Sequence, residues 1–399
     1  MRNFSRLICF SLVFLLVLGL LPANAISPFD GKNPIKISGS ANVDNNDSAR
    51  SKAVKSKNYQ ETQACTLAVM ADLHAKPESL PLLKKAVDRV NNLKDIAGLA
   101  IVGDLCSKVG SRSEYETLRN GLSGAKIPIY AVPGNHDILL KDYLVDGKTR
   151  RGTPAEKKAK QEIFKQTFKL KSLYYSHKIG GHLLIFLPND ALTALPCSLP
   201  SDEAYDFLRQ TLRENRNLPT IIFHHAPLEG SYSGRRRMPP IQANFQPSGK
   251  TKRLLQKNPQ VYLWFSGHLH ITPSQKNFNF PGNRVGNVNV VHVPPSLIRA
   301  SWVQVVRLSP KGAIVKTLDV KSGKYLKRHT RVFRPNIATN TNADENQPQP
   351  QKDGETKKPA KIAKIVITNA HSGGNRDRAG FGDWLENQEP DIALVSESV

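Results

Sequence analysis

Five short stretches of this sequence gather side chains of the kind that bind metal ions. They are Asp72-Leu73-His74, Gly103-Asp104, Gly134-Asn135-His136-Asp137, His224-His225 and Gly267-His268-Leu269-His270. Imidazole and carboxylate donors suit borderline divalent ions such as Zn, Fe, Mn, Ni or Co. No cysteine falls within the five stretches, which argues against a structural thiolate zinc site. The chemistry the set could serve is that of a dinuclear centre, in which one carboxylate bridges ions roughly 3.5–4 Å apart. Asp104, on the central motif, is the natural bridge. Glycines beside Asp104, Asn135 and His268 let the backbone turn sharply and approach the ions closely. Taken singly, each motif has an ordinary reading: Asp72 or Asp104 as a helix cap, His268 and His270 as loop residues, Gly134-Asn135 as a turn. The argument for a site rests on all five together.

Elements must place them. Each motif follows a short apolar run: 66–71, 98–102, 127–132, 220–223 and 261–265. Helical spacing lies between, over 80–93, 113–122 and 202–215, and 173–187 reads as a hairpin turning at Gly180-Gly181. Strands alternating with helices predict an α/β domain, in which ligands collect at the carboxyl ends of the strands. The runs 288–293, 302–308 and 313–320 read as antiparallel strands closing the domain near Phe333. The basic stretch 148–171 reads as a surface helix.

In its five motifs, complete and in order, the sequence resembles the calcineurin-like metallophosphoesterase family, over about Thr66 to Phe333. The resemblance implies a four-layer αββα sandwich, two sheets flanked by helices, and a pair of divalent ions. By position, Asp72, His74, Asp104 and His270 would hold one ion, and Asp104, Asn135, His224 and His268 the other. His224 and His225 are adjacent and only one is needed; His224 is the expected ligand. His136 would touch the substrate phosphate and protonate the leaving oxygen, with Asp137 orienting it. In the family, a hydroxide bridging the ions attacks phosphorus in line.

Purple acid phosphatases carry a tyrosine three residues after the Gly-Asp aspartate, where this chain has Ser107. The stretches Gly103-Asp104-Leu105 and His224-His225-Ala226-Pro227 look more like the bacterial phosphodiesterase branch, with Ala226 where a second proline is common. The loop 230–245 carries Arg235-Arg236-Arg237, candidates for gripping a second phosphate or an anionic leaving group. A solvated basic loop would carry the same run.

The flanks differ in kind. Arg2 and Arg6, an apolar run over 7–21 and Ala23-Asn24-Ala25 read as a secretory signal (1–25) cleaved after Ala25. Export to the periplasm, cell wall or medium is the expectation, with no stable membrane span after cleavage. Polar linkers are expected over 26–63 and 334–360, with the main domain between them at 64–333. Residues 361–399 resemble the start of the endonuclease/exonuclease/phosphatase (DNase I-like) fold, with Asn369 and Glu397 at its Mg²⁺ positions. That partial α/β segment reads as a truncated domain or a piece of a longer two-hydrolase protein, the alternative being a short βαβ-like appendage docking on the main domain. Of 4 cysteines, the one at position 9 would leave with the signal; the remaining Cys65, Cys106 and Cys197 allow at most one bridge.

The formal net charge of +24 implies an anionic partner, and the motifs make a phosphate ester the expected one. Nucleic-acid binding does not follow from the charge alone. The expectation is an exported phosphoesterase acting on diesters. The alternatives are a phosphomonoesterase or nucleotidase with the same site, or a basic anion-binding module with a vestigial centre.

Overall fold

The computed structural model describes residues 64–193, 197–233, 238–296 and 300–335. The expected signal (1–25), the arginine run at 235–237, the expected linkers apart from residues 334 and 335, and the C-terminal segment lie outside them.

Apolar runs and helical spacing become elements close to where the sequence places them. In chain order these are β1 (Cys65–Met70), α1 (Leu80–Asn91), β2 (Ile96–Val102), α2 (Arg112–Leu122) and β3 (Ile129–Val132). There follow the one-turn α3 (Asn135–Ile138), α4 (Pro154–Phe168), β4 (Tyr175–Ile179), β5 (His182–Phe186), α5 (Asp202–Glu214) and β6 (Thr220–Phe223). The remainder are α6 (Pro240–Ala243), α7 (Ser248–Gln256), β7 (Val261–Ser266), β8 (Arg284–Val285), β9 (Val288–His292), β10 (Trp302–Ser309), β11 (Gly312–Asp319) and β12 (Arg331–Phe333). Helix starts follow their caps. Ser111 Oγ accepts from the Glu114 N–H while Glu114 returns a carboxylate oxygen to the Ser111 N–H. Thr153, with Pro154 and Glu156, begins α4 in the same way.

Two six-stranded sheets result, ordered β12-β11-β10-β1-β2-β3 and β4-β5-β6-β7-β9-β8. Three buried layers separate four layers of structure. One packs α1, α2 and α4 on the first sheet, through residues such as Leu83, Val87, Leu118 and Phe164. A second lies between the sheets and includes Val69, Val102, Phe223, Phe265 and Val306. The third packs α5 and α7 on the second sheet, through Leu208, Leu212, Leu255, Ile222 and Trp264. The αββα sandwich is therefore present. A stack of near-parallel rings, Tyr175, Phe186, Phe223 and Phe265, crosses β4 to β7 with centroids 4.8, 4.8 and 5.2 Å apart.

Two expectations change. The last long strands do not form one antiparallel run: β9 pairs parallel with β7 in the second sheet, whereas β10 joins β1 antiparallel in the first. Local pattern marks a strand but not its partner, which long-range packing chooses. The basic helix is also less of a surface element than its spacing suggests. Lys157 and Lys160 are buried, the first donating to the Leu192 carbonyl at 2.6 Å and the second to the Val109 carbonyl and the Asp142 carboxylate.

The registers place Cys65 opposite Leu308, Leu308 opposite Ala313 and Ala313 opposite Phe333. The start of β1 and the end of β12 thus share one edge, and Asp72 follows β1 at the other. Cys65, Cys106 and Cys197 are buried free thiols. Among the described residues, no helix is long and apolar enough to cross a membrane.

Candidate metal centre

The loops that leave β1, β2, β3, β6 and β7 are stitched together by main-chain hydrogen bonds. The Asp72 and His74 N–H groups donate to the Gly103 and Asp104 carbonyls at 2.9 and 3.0 Å. The Gly267 N–H donates to the His225 carbonyl at 2.9 Å. Five residues here adopt positive φ: Asp72 (49°), His74 (39°), Asp104 (50°), His268 (66°) and His270 (48°). A left-handed conformation is costly for residues other than glycine and gathers at functional sites. Gly134 permits the closest approach, because a Cβ there would collide with the main chain and carboxylate of Asp104.

Two groups of donor atoms form, each with its ligand atoms within 4.8 Å of one another: Asp72, His74, Asp104 and His270, and Asp104, His225 and His268. Asp104 belongs to both. One of its oxygens accepts from the His136 N–H at 2.8 Å, and the other faces His225 Nε2 at 3.2 Å and His74 Nε2 at 3.9 Å. Asp72 accepts from the His268 N–H through both oxygens, at 3.0 and 3.1 Å, and lies 3.3 Å from His270 Nε2.

Main-chain carbonyls set which ring nitrogens face inward. His225 Nδ1 lies 3.0 Å from the Val102 carbonyl, His268 Nε2 2.9 Å from that of Gln242, His74 Nδ1 3.4 Å from that of Ser107 and His136 Nδ1 2.6 Å from that of Lys108. A nitrogen facing a carbonyl carries the proton, so the opposite nitrogen turns a lone pair toward the centre. The consequence is a convergence of acceptors. His74 Nε2 and His270 Nε2 lie 3.1 Å apart. His225 Nε2 has Asp104 Oδ2, Asn135 Oδ1 and His268 Nδ1 all at 3.2 Å. One N–H cannot satisfy three acceptors, whereas a cation can. The donor set therefore fits divalent ions.

Charge tells the same story. Burial alone would lower the His225 pKa, but the Asp104 carboxylate outweighs it and pushes the value up to about 9. Burial would raise Asp104, yet the surrounding imidazoles, His225 first, hold it well below the usual carboxylate range. Burial takes His268 down to about 4, which keeps it neutral and able to ligate. The pocket demands positive charge beside Asp104, supplied by a proton or by a metal ion.

Two expected roles are corrected. His224 does not reach the cluster. It is fully buried, its Nδ1 accepts from the Ala226 N–H at 2.9 Å, and its ring packs edge-on against Phe245 at 4.5 Å. Its neighbour His225 takes the inward place. Asp137 does not orient His136 either. Its carboxylate accepts the N–H groups of Cys106 (2.8 Å), Leu105 (3.2 Å) and Gly134 (2.7 Å), tying the Asp104 loop to the Asn135 loop. Burial and nearby Asp104 raise its pKa to about 6 against the pull of those three donors. The Lys108 carbonyl is what orients His136, whose side chain is one-third exposed with Nε2 4.0 Å from Asp104 Oδ2. Asp72, His74, Asp104, Asn135, His268 and His270 all lie at the cluster. Sequence reasoning had no access to the anchoring carbonyls of Val102, Ser107, Lys108 and Gln242, because every residue has a carbonyl.

The sequence profile of the calcineurin-like phosphoesterases matches residues 65–272, just over half of the chain. The chain belongs to the calcineurin-like phosphoesterase family. A 3′,5′-cyclic-nucleotide phosphodiesterase of Nostoc is 26% identical over 194 residues, 48% of this chain and 62% of that protein. A glycerophosphodiester phosphodiesterase of Enterobacter lignolyticus is 23% identical over 187 residues, 46% of this chain and 60% of that protein. The chain thus spans about three-fifths of the length of these curated relatives. Among solved structures, a dimetal phosphatase from Danio rerio matches with TM-score 0.46 and 11% identity, covering 68% of this chain and 99% of that one. A purple acid phosphatase from yellow lupin matches with TM-score 0.47 and 16% identity, covering 67% of this chain and 53% of that one.

Proposed function

We propose that this family member binds two divalent ions in the two donor groups and hydrolyses phosphate esters, preferring diesters. The observation that carries the reading is the Asp104 carboxylate, shared by both groups. The names of the two curated relatives, both phosphodiesterases, support the diester preference.

Bound ions would lower the pKa of a water molecule and neutralise charge on the phosphoryl oxygens. The chain supplies the rest. Asp72 and Asp104, buried and fixed by main-chain donors, set the charge of the centre. His136 stands at the open side with its Nδ1–H on the Lys108 carbonyl. Neutral, it turns Nε2 toward the centre; as imidazolium, it offers a phosphoryl oxygen an Nε2–H and can pass that proton to the leaving oxygen. The arginines at 235–237 lie outside the described residues, and we propose them as contacts for the distal group of the substrate.

Adding Mn²⁺ or Zn²⁺ to chelated protein and comparing bis-(p-nitrophenyl) phosphate with p-nitrophenyl phosphate tests the reading. Faster diester turnover supports it, and faster monoester turnover replaces it with a phosphomonoesterase or nucleotidase. Metal binding without hydrolysis of either leaves an anion-binding module. We also propose export, on the basic, apolar and small-residue pattern of residues 1–25. Secreted protein whose first residue is Ile26 is the expected result; retention with an intact N-terminus overturns it.

A further inference from the structure

His268 is anchored unlike the other imidazoles. His225 leans on the Val102 carbonyl, which belongs to β2 inside the first sheet. His268 leans on the Gln242 carbonyl, which belongs to the four-residue α6, outside both sheets. Neither sheet fixes that carbonyl in place.

Its own side chain ties it to two other segments. Gln242 Oε1 accepts from Arg151 Nη2 at 3.1 Å and from the Cys197 N–H at 3.2 Å, and the Gln242 carbonyl also accepts the Cys197 thiol at 2.9 Å. Arg151 lies just before α4 and Cys197 between β5 and α5, so three segments far apart in sequence meet at one glutamine. None belongs to the five motifs. Both nearby linkages are secured: the Phe245 N–H donates to the Pro227 carbonyl at 2.9 Å and the Gln246 N–H to that of Ser198 at 3.1 Å.

We propose that Gln242, held by Arg151 and by the Cys197 main chain, is a positioning residue that aims His268 Nδ1 at the buried metal ion. The brace acts on one ion of the pair. The ring nitrogens of His74 and His270 face the Ser107 carbonyl, each other and Asp72 instead, so their ion should not feel its loss. The proposal rests on the two-ion reading above.

The test is a titration of chelated full-length protein with Co²⁺, read by calorimetry and by the visible absorption of each bound ion. Gln242→Ala keeps the main-chain carbonyl but removes its tether. It should weaken one ion by roughly 10- to 100-fold and alter that ion's absorption, leaving the other unchanged. Gln242→Glu keeps an acceptor for Arg151 and for the Cys197 N–H, and should restore most of the affinity. Arg151→Ala should weaken the same ion less. It carries the test should Gln242→Ala unfold, since it leaves Gln242 in place. Two wild-type affinities with wild-type spectra, or equal weakening of both ions, overturn the brace. Wild-type protein that fails to bind two ions instead overturns the two-ion reading, a distinct result.

Discussion

The two halves of the centre are built from the same residue types but sit in different surroundings. In one, His225 and His268 are buried, 1% and 8% exposed, and both rings rest on carbonyls at 3.0 Å or less. In the other, the side chains of His74 and His270 are 18% and 43% exposed, and His74 has a carbonyl no closer than 3.4 Å. Ligands fixed in advance bind without ordering cost, and burial strengthens their electrostatics. The buried half should therefore hold its ion more tightly and release it more slowly. On the two-ion reading, the open half, beside His136, is where solvent and substrate would arrive, and retention and access would fall to separate ions.

Substitutions can break that division. Asp104→Asn removes the shared charge, so both ions should weaken and turnover should fall by on the order of 10³-fold or more. Metal analysis with steady-state kinetics checks it, and near-normal turnover with two ions bound would falsify the bridging role. His225→Ala should empty the buried half and cost on the order of 10²-fold in turnover. His224→Ala should retain both ions yet lose about 2–3 kcal/mol of stability through the hole left against Phe245 and Trp264. Urea denaturation and metal content separate the two, and a reversal of outcomes restores His224 as the ligand. His270→Ala should weaken only the open-half ion, by roughly 10-fold, with activity recovered at high Mn²⁺. Recovery at no metal concentration would mean the halves are not independent.

A further expectation lies away from the centre. His182, buried, receives the Tyr262 hydroxyl at 2.7 Å, and burial lowers its pKa from 6.5 to about 4. The unfolded chain therefore takes up the proton first as pH falls. The contribution of neutral His182 is present above pH 6.5 and fades as pH drops toward 4, by about 2–3 kcal/mol. Urea unfolding of metal-free wild type and His182→Asn across that window should show a shallower pH slope in the variant. Equal slopes would remove His182 as the source.

Residues that act through their own side-chain atoms were legible in the sequence. Asp72, His74, Asp104, Asn135, His268 and His270 could be read because carboxylate, amide and imidazole are the chemistry. The His224–His225 choice failed on parity. Alternation along a strand says that neighbours face opposite ways but not which face meets the other sheet. Ile221 and Phe223 of β6 point between the sheets and Ile222 points to α5 and α7, so His225 shares the face of Phe223. Knowing that face would have selected His225. Asp137 failed differently: its partners are main-chain N–H groups of the Asp104 loop and of its own loop, which carry no sequence mark. Gln242 escaped notice for the same reason, since its service to His268 runs through a carbonyl. The placement of β9 depended on pairing across the fold, which local pattern does not encode.

The register that sets Cys65 and Phe333 on one edge has a practical consequence. Polypeptide enters and leaves this domain at the strand ends opposite those that the candidate metal-binding loops follow. Anything fastened just before Cys65 or just after Phe333, whether an affinity tag, a resin or a neighbouring fusion partner, pulls on the blind side. The domain can be leashed there with its mouth turned outward.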